Sequence, residues 1–207
     1  MHYESLIFDI DGTLWDSREL VARGYNRALR AEGLDHLCVN AEQLKALFGK
    51  TMTDIADILL AEIPVEERYA LMERCMDSEN RLLEEDPCHM GYPLVKETLE
   101  KLARNHRLFI VSNSQCGYPE LTIQMLGLTG LIRGHLCFGD TGTSKGQTLL
   151  RLMQEHEITS CAYIGDTQGD LDACEEAGIP FIFAAYGFGN PSHWEAKIDK
   201  ISDLLEL

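Results

Sequence analysis

Four short apolar runs punctuate the chain: LIF (6–8), RLFIV (107–111), CAYI (161–164) and IPFIFAAY (179–186). Inside each run the apolar positions are continuous rather than alternating, which is how strands buried on both faces of a parallel sheet read. A helical period separates them. Leu94, Val95, Thr98, Leu99, Leu102 and Ala103 fall on one helical face, with Pro93 suited to the first turn. Residues 119–126 repeat the pattern and Gly127 closes it. Further helices are predicted over 146–155 and 170–177, the second stopped by Gly178. Strand–helix–strand alternation predicts an α/β fold with a parallel sheet between layers of helices.

Residues 9–106 between the first two runs are too many for one crossover. Residues 16–87 read as helical throughout. Leu20, Val21, Tyr25, Ala28 and Leu29 form one stripe, ended by Gly33. Leu44, Leu47 and Phe48 form a short second stripe. Ile55, Ile58 and Leu59 form a third, stopped by Pro64. Tyr69, Met72, Met76 and Leu83 mark a fourth, stopped by Pro87. The expected organisation is a core of residues 1–15 and 88–207 with an inserted helical cap at 16–87. Its junctions, near Asp16 and Cys88, flank the end of the first strand, which makes the insertion a lid.

Composition is ordinary for a globular protein, with 45% apolar and 25% charged residues. The formal net charge of −16 and the lack of a basic stripe argue against nucleic acid or an anionic membrane surface as partner. No 18-residue apolar run is present, no signal peptide is expected, and the seven cysteines include no CxxC. Reduced, mostly buried cysteines in a cytoplasmic protein are expected, with no zinc site. The seven histidines show no ligand spacing; His89 alone, beside the second junction, invites a test. The sequence names no oligomeric state.

What ends each strand carries the chemistry. The first run ends in Asp9-Ile10-Asp11-Gly12-Thr13, the second in Ser112-Asn113, and the third in Gly165-Asp166-Thr167-Gln168-Gly169-Asp170. Ligands of open parallel sheets bind outside the carboxyl ends of the strands, so these clusters converge on one crevice. Lys145, in a loop before the next helix, reaches the same place. Four acids crowded together call for a divalent cation, and all-oxygen ligation suits Mg²⁺.

The ordered set DIDGT, SN, Lys145 and GDTQGD resembles the four motifs of the haloacid dehalogenase superfamily. The match is to its phosphoglycolate-phosphatase-like subgroup with a helical cap, and it includes the AGIPFIFAAYGFG continuation. The resemblance implies a Rossmann-like core and a Mg²⁺-dependent phosphatase acting on a small phosphorylated metabolite. It implies Asp9 as nucleophile and Asp11 as acid and then base. Asp9, Asp166 and the backbone carbonyl of Asp11 would hold the metal. Lys145, Ser112, Asn113, Thr13 and the backbone at Gly12 would bind phosphate. Asp170 would orient Lys145 or a metal-bound water, or serve as a fourth acidic ligand. In the cap, Gly49-Lys50-Thr51 breaks the helices, and Lys50 is a candidate substrate contact.

Departures bear on the alternatives. Many relatives carry Pro after the motif lysine; Gly146 stands here and loosens the loop. GDTGTSKG nearly reads as a P-loop, but Ser144 replaces the glycine before the lysine. A phosphosugar mutase of the same superfamily fits less well, since Thr13 and Val21 stand where mutases differ. Dehalogenases lack the second acid, here Asp11. A response-regulator-like phospho-acceptor would be shorter and would have no cap. A non-catalytic phosphate binder is disfavoured because every catalytic position is filled.

Overall fold

The computed structural model describes residues 3–85 and 90–207. In chain order the elements are β1 (Ser5–Phe8), α1 (Arg18–Ala31), α2 (Ala41–Lys45), α3 (Met52–Leu59), α4 (Val65–Glu85), α5 (Val95–Leu102), β2 (Arg107–Ser112) and α6 (Tyr118–Met125). Then follow β3 (Ile132–Cys137), α7 (Phe138–Thr141), α8 (Lys145–Glu155), β4 (Cys161–Gly165), α9 (Gln168–Ala177), β5 (Phe181–Ala184) and β6 (Ala196–Ile198). The chain divides into two compact units, Met1–Asp16 with Met90–Leu207, and Ser17–His89.

The first unit is built on a six-stranded, all-parallel sheet in the order β3-β2-β1-β4-β5-β6. This is the expected α/β class. β1 lies at the centre, with Ile7 beside Phe109 on one side and Tyr163 on the other. Side chains alternate faces along a strand. Ile7, Phe109, Val111 and Tyr163 join Leu149, Leu152, Leu171 and Cys174 of α8 and α9 in one core. The residues between them, Leu6, Phe8, Leu108, Ile110 and Ile164, are equally buried. Both faces of the central strands are therefore covered, which is why the runs read as continuous rather than alternating. Successive strands step away from β1 in both directions, so the order reverses beside β1 and leaves a crevice at its carboxyl end.

Two strands escaped the hydrophobic pattern. β3 reads IRGHLC with mixed burial, and β6 has three residues at the sheet edge. Pro93 lies two residues before α5, and Leu94 caps that helix at φ 66°. Lys145 is the first residue of α8, after the Ser144 cap, and does not lie in a preceding loop. Gly146, expected to loosen that region, is buried instead: a Cβ there would come within 2.3 Å of Glu176 Oε2. Glu176 also accepts hydrogen bonds from Ser144 Oγ and Gln147 Nε2, tying α8 to α9.

The second unit is helical. Val21, Tyr25, Leu29, Leu44, Ile55, Leu71, Met72 and Cys75 make its core. α1 and α4 approach closely at Gly24, where a Cβ would meet Glu79 Cα at 2.7 Å. Asn40 and Gln43 form a capping box on α2, and Thr51 caps α3. Ile58 and Tyr69, assigned to buried stripes, are 52% and 40% exposed. Pro64 precedes α4 and does not terminate α3, whose last residue is Leu59. The helix stop at Pro87, the junction near Cys88 and His89 lie outside the described residues.

Candidate active site

Asp9 follows β1 directly, and its N–H continues the ladder by donating to Ile164 O at 2.9 Å. Asp166 follows β4 in the same way, one strand over. Asp170 lies in the first turn of α9, where its carboxylate reaches back to cap the helix with Thr167. Lys145 begins α8. The sheet order thus brings four residues from three segments into one buried cluster. Oxygen atoms of Asp9, Asp166 and Asp170 lie within 4.8 Å of one another. Asp9 is 3% exposed, Asp166 and Asp170 are 0%, and Lys145 is 5%.

The hydrogen bonds divide the three acids. Lys145 Nζ donates to Asp170 Oδ1 at 2.6 Å and to Asp9 Oδ1 at 3.1 Å, and it stands 5.7 Å above the Tyr163 ring. The Tyr163 hydroxyl donates to Val111 O at 2.8 Å and lies 3.4 Å from Asp170 Oδ1. Asp170 Oδ2 accepts the N–H groups of Asp166 and Thr167 and the Thr167 hydroxyl, at 3.1, 2.9 and 2.8 Å. Asp166 Oδ2 accepts the N–H of Phe188 at 2.6 Å. Asp166 Oδ1 is buried without a hydrogen-bond partner.

Three buried carboxylates face one ammonium. Burial, then repulsion from Asp170, pushes Asp9 up to about 7 despite Lys145. Burial, then repulsion from Asp170 and Asp9, raises Asp166 well above its ordinary range. Burial also opposes ionisation of Asp170, but Lys145 and the Thr167 donors outweigh it and lower its pKa. For Lys145 the two carboxylates outweigh burial, and the ammonium is held charged. An orphaned carboxylate oxygen at zero exposure is costly. A hard divalent cation held by Asp9 and Asp166 would supply that oxygen with a partner and offset the excess negative charge. The donor set fits such an ion.

The backbone is shaped around Asp166. Gly12 has φ +82°, and a Cβ there would sit 2.3 Å from Asp166 Oδ2. A Cβ at Gly187 would lie 2.4 Å from Asp166 Cβ and 2.5 Å from Gly12 O. Only glycine allows both approaches.

The other residues expected at the site are placed as follows. The Asp11 side chain is outside the acidic cluster and accepts hydrogen bonds from Trp15 and Tyr118. Thr13 is fully buried; its Oγ1 has no partner and its carbonyl accepts the Tyr186 hydroxyl at 2.8 Å. Ser112 is buried at the end of β2, where its Oγ accepts the Ser114 N–H at 3.2 Å. Asn113 follows it, half-buried. Lys50 belongs to the Ser17–His89 unit and is exposed between α2 and α3. The sequence reading missed Trp15, Tyr118, Tyr163, Thr167 and the Phe188 amide. Glycines on both sides of Phe188 were the one available signal for the last of these.

A second cluster, Cys116, Cys137 and Asp140, has ligand atoms within 4.8 Å of one another. Asp140 Oδ2 already accepts the Cys137 N–H at 2.9 Å as part of the α7 cap. Burial, then the hydrogen bond to Asp140, raises both thiols and keeps them protonated. Capping explains this arrangement without an ion.

Residues 6–184 match the family described as haloacid dehalogenase-like hydrolase. A phosphoglycolate phosphatase of Aquifex aeolicus is 27% identical over 210 residues, covering 98% of this chain and 95% of that one. Another, from Aliivibrio fischeri, is 28% identical and covers 96% and 91%. A 5'-nucleotidase of Pseudomonas aeruginosa is 25% identical and covers 100% and 97%. Two solved structures share the fold. One, a predicted phosphoglycolate phosphatase from Haemophilus somnus, has a TM-score of 0.83 at 21% identity, covering 100% and 98%. The other, a haloacid dehalogenase-like family hydrolase from Streptococcus pneumoniae, has a TM-score of 0.83 at 17% identity, covering 99% and 97%. With the acids at the ends of β1 and β4 and the match spanning both strands, the chain belongs to the haloacid dehalogenase-like hydrolase family and is one of its phosphatases.

Proposed function

We propose that this phosphatase depends on Mg²⁺ and hydrolyses a small phosphomonoester through an aspartyl-phosphate on Asp9. The observation that carries the reading is the buried meeting of Asp9, Asp166, Asp170 and Lys145 at the strand ends, with one carboxylate oxygen left unpartnered.

In the first half of the reaction an Asp9 oxygen attacks phosphorus and the bond from phosphorus to the ester oxygen breaks. Asp11 gives its proton to the departing alkoxide. In the second half water attacks the phosphorus, Asp11 takes the water proton, and the bond to Asp9 breaks, restoring the carboxylate. Lys145, with Ser112 and the backbone of 11–13, neutralises and holds the phosphate oxygens. Asp9, Asp166 and the Asp11 carbonyl would hold Mg²⁺, which would supply charge neutralisation for the anionic nucleophile and phosphate. Asp170 is assigned to orienting Lys145, since its two oxygens together accept four donors, which fully uses a carboxylate.

The division into a catalytic core (1–15, 88–207) and a helical cap (16–87) belongs to this reading. The insertion leaves the chain three residues after Thr13, which supports a role in selecting substrate, with Lys50 as a contact. The relatives' names put 2-phosphoglycolate and nucleoside 5'-monophosphates first among the esters to assay. Among the described residues no helix is long and apolar enough to cross a membrane. The six described cysteines form no disulfide, which supports a cytoplasmic location.

The test is phosphate release from p-nitrophenyl phosphate and a panel of phosphometabolites, with Mg²⁺, Ca²⁺ or EDTA. Activity with Mg²⁺, loss in EDTA and inhibition by Ca²⁺, which prefers a larger and looser shell, are expected. Full turnover in excess chelator would refute the metal assignment.

A further inference from the structure

Asp9 and Asp11 are two residues apart, yet their side chains meet different surroundings. Asp9 faces charge. Asp11 faces two aromatic rings, and both direct their polar atom at the same oxygen. Trp15 Nε1–H donates to Asp11 Oδ1 at 3.0 Å, and the Tyr118 hydroxyl donates to the same atom at 2.8 Å. Trp15 is 0% exposed and Tyr118 is 1%. Their rings meet edge to face, with centroids 5.6 Å apart at 70°.

Both donors are themselves fixed. Trp15 closes the motif turn: its carbonyl accepts the Gly12 N–H at 2.9 Å and its N–H donates to Ile10 O at 3.3 Å. The segment beyond is tied by Tyr92 N–H to Leu14 O and by Asp16 N–H to Met90 O, at 3.0 and 2.9 Å. Tyr118 opens α6, after Gly117 at φ 84° and before Pro119, so the start of that helix is set by its own sequence. The Tyr118 carbonyl also accepts the Thr122 hydroxyl at 2.9 Å.

A buried Trp or Tyr needs a partner for its polar atom, and a nearby acid can serve without consequence for catalysis. The arrangement here goes further than that need. The terminal torsion of an aspartate is broad, and two donors from rigid rings on one oxygen fix the plane of the carboxyl group. Proton transfer to a leaving oxygen depends on that plane, because it occurs only at hydrogen-bond reach and alignment.

We propose that Trp15 and Tyr118 are positioning residues that set the orientation of the Asp11 carboxyl group for proton transfer to the leaving alcohol. The proposal rests on the phosphatase reading and on Asp11 as its acid and base. Neither aromatic residue needs to touch the substrate; both act through Asp11.

The experiment compares kcat/KM for two esters, p-nitrophenyl phosphate and glycerol 2-phosphate, in the wild-type protein, Tyr118→Phe and Trp15→Phe, with Mg²⁺ present. The nitrophenolate leaves readily unprotonated and needs little acid assistance; the alkoxide needs it. Tyr118→Phe keeps the ring and removes one hydroxyl, so a thermal melt should show the fold retained. The expected result is that glycerol 2-phosphate loses about tenfold more than p-nitrophenyl phosphate, a part of the roughly 10²–10⁴-fold that a general acid contributes. In an Asp11→Asn background, Tyr118→Phe should cost little further, since the group it orients is gone. An equal loss on both esters, no loss on either, or the same loss in the Asp11→Asn background would each overturn the proposal. A wild-type protein that releases no phosphate from either ester would instead bring down the phosphatase reading, and this proposal with it.

Discussion

A buried cluster of acidic and basic side chains in the sheet unit contrasts with surface ion pairs in the helical unit. In the sheet unit the charged groups that matter are buried: Lys145 and its two partners have side chains between 0% and 5% exposed. In the helical unit the ion pairs of Arg27 and Arg74 lie at the surface. Arg27–Glu85 and Arg74–Glu32 have both partners between 42% and 60% exposed, and Arg18–Glu42 leaves its acid 81% exposed. Surface pairs contribute little and are screened by salt. A buried group of three acids and one base is costly to assemble and is not explained by stability. The proposed Mg²⁺ would complete it. That difference supports the proposal that the chemistry lies in the sheet unit, with packing and substrate choice left to the helical unit.

The largest effect expected from breaking the buried side is at the nucleophile. Asp9→Asn should reduce kcat by roughly 10³-fold or more, about 4 kcal/mol or above in transition-state terms. Its melting temperature should be maintained or raised, because one of three crowded acids becomes neutral while the amide oxygen can still accept from Lys145. A variant keeping a tenth of wild-type kcat would remove Asp9 from its role.

Gly12→Ala should come next. The residue sits at φ +82°, and its new methyl group would be pressed into Asp166. Strain of about 1–3 kcal/mol from the backbone alone is expected, together with loss of metal affinity. A variant with wild-type Mg²⁺ dependence and an unchanged melting temperature would mean that the close approach at Gly12 does not hold in solution.

Metal and pH should act together on the buried unit. In the folded chain the Asp9 carboxyl is pushed up to about 7 from its ordinary 3.8. The folded state therefore keeps a proton that the unfolded state has released. In EDTA, stability is full below the unfolded value and is lost as pH rises from there through about 7. A bound divalent cation favours the ionised form and reverses the trend. The shift in melting temperature on adding Mg²⁺ should be larger at pH 8 than at pH 5. Equal shifts at the two pH values would contradict this coupling.

The smallest effects belong to the helical unit. Arg68 donates to the carbonyls of Leu60, Ala61 and Ile63 and pairs with Asp57. Arg68→Ala should lower the melting temperature by a few degrees and leave hydrolysis of p-nitrophenyl phosphate unchanged. Arg27→Ala, whose charge partner Glu85 is exposed, should do less. Replacing Gly49-Lys50-Thr51 should reorder preferences in a phosphometabolite panel more than it changes the aryl ester. An unaltered ranking would withdraw the substrate role assigned to that turn.

The central strands and the polar residues that end them were legible in the chain, since each is a local feature. β1, β2, β4 and β5 are covered on both faces, so their apolar runs are continuous, and a carboxylate placed directly after such a run is conspicuous. Asp9, Asp166 and Lys145 could be singled out because nothing apolar masks them. Edge position hid β3 and β6. With partly exposed faces and a glycine at 134, IRGHLC carries no periodic signature, and three residues of β6 carry none at all. The exposure of Ile58 and Tyr69 likewise depended on which helix faces found partners. Most of all, tertiary structure decided what surrounds the two acids of the DIDGT turn. No pattern relates Tyr118 to Asp11 across 107 positions, and the motif order brought Lys145 to the Asp9 crevice without the hydrogen bond that spans 136 positions. Those contacts exist because parallel strands far apart in sequence lie side by side and end together. Local sequence sets which residues stand at a strand's end, and only the order of strands in the sheet sets which ends meet.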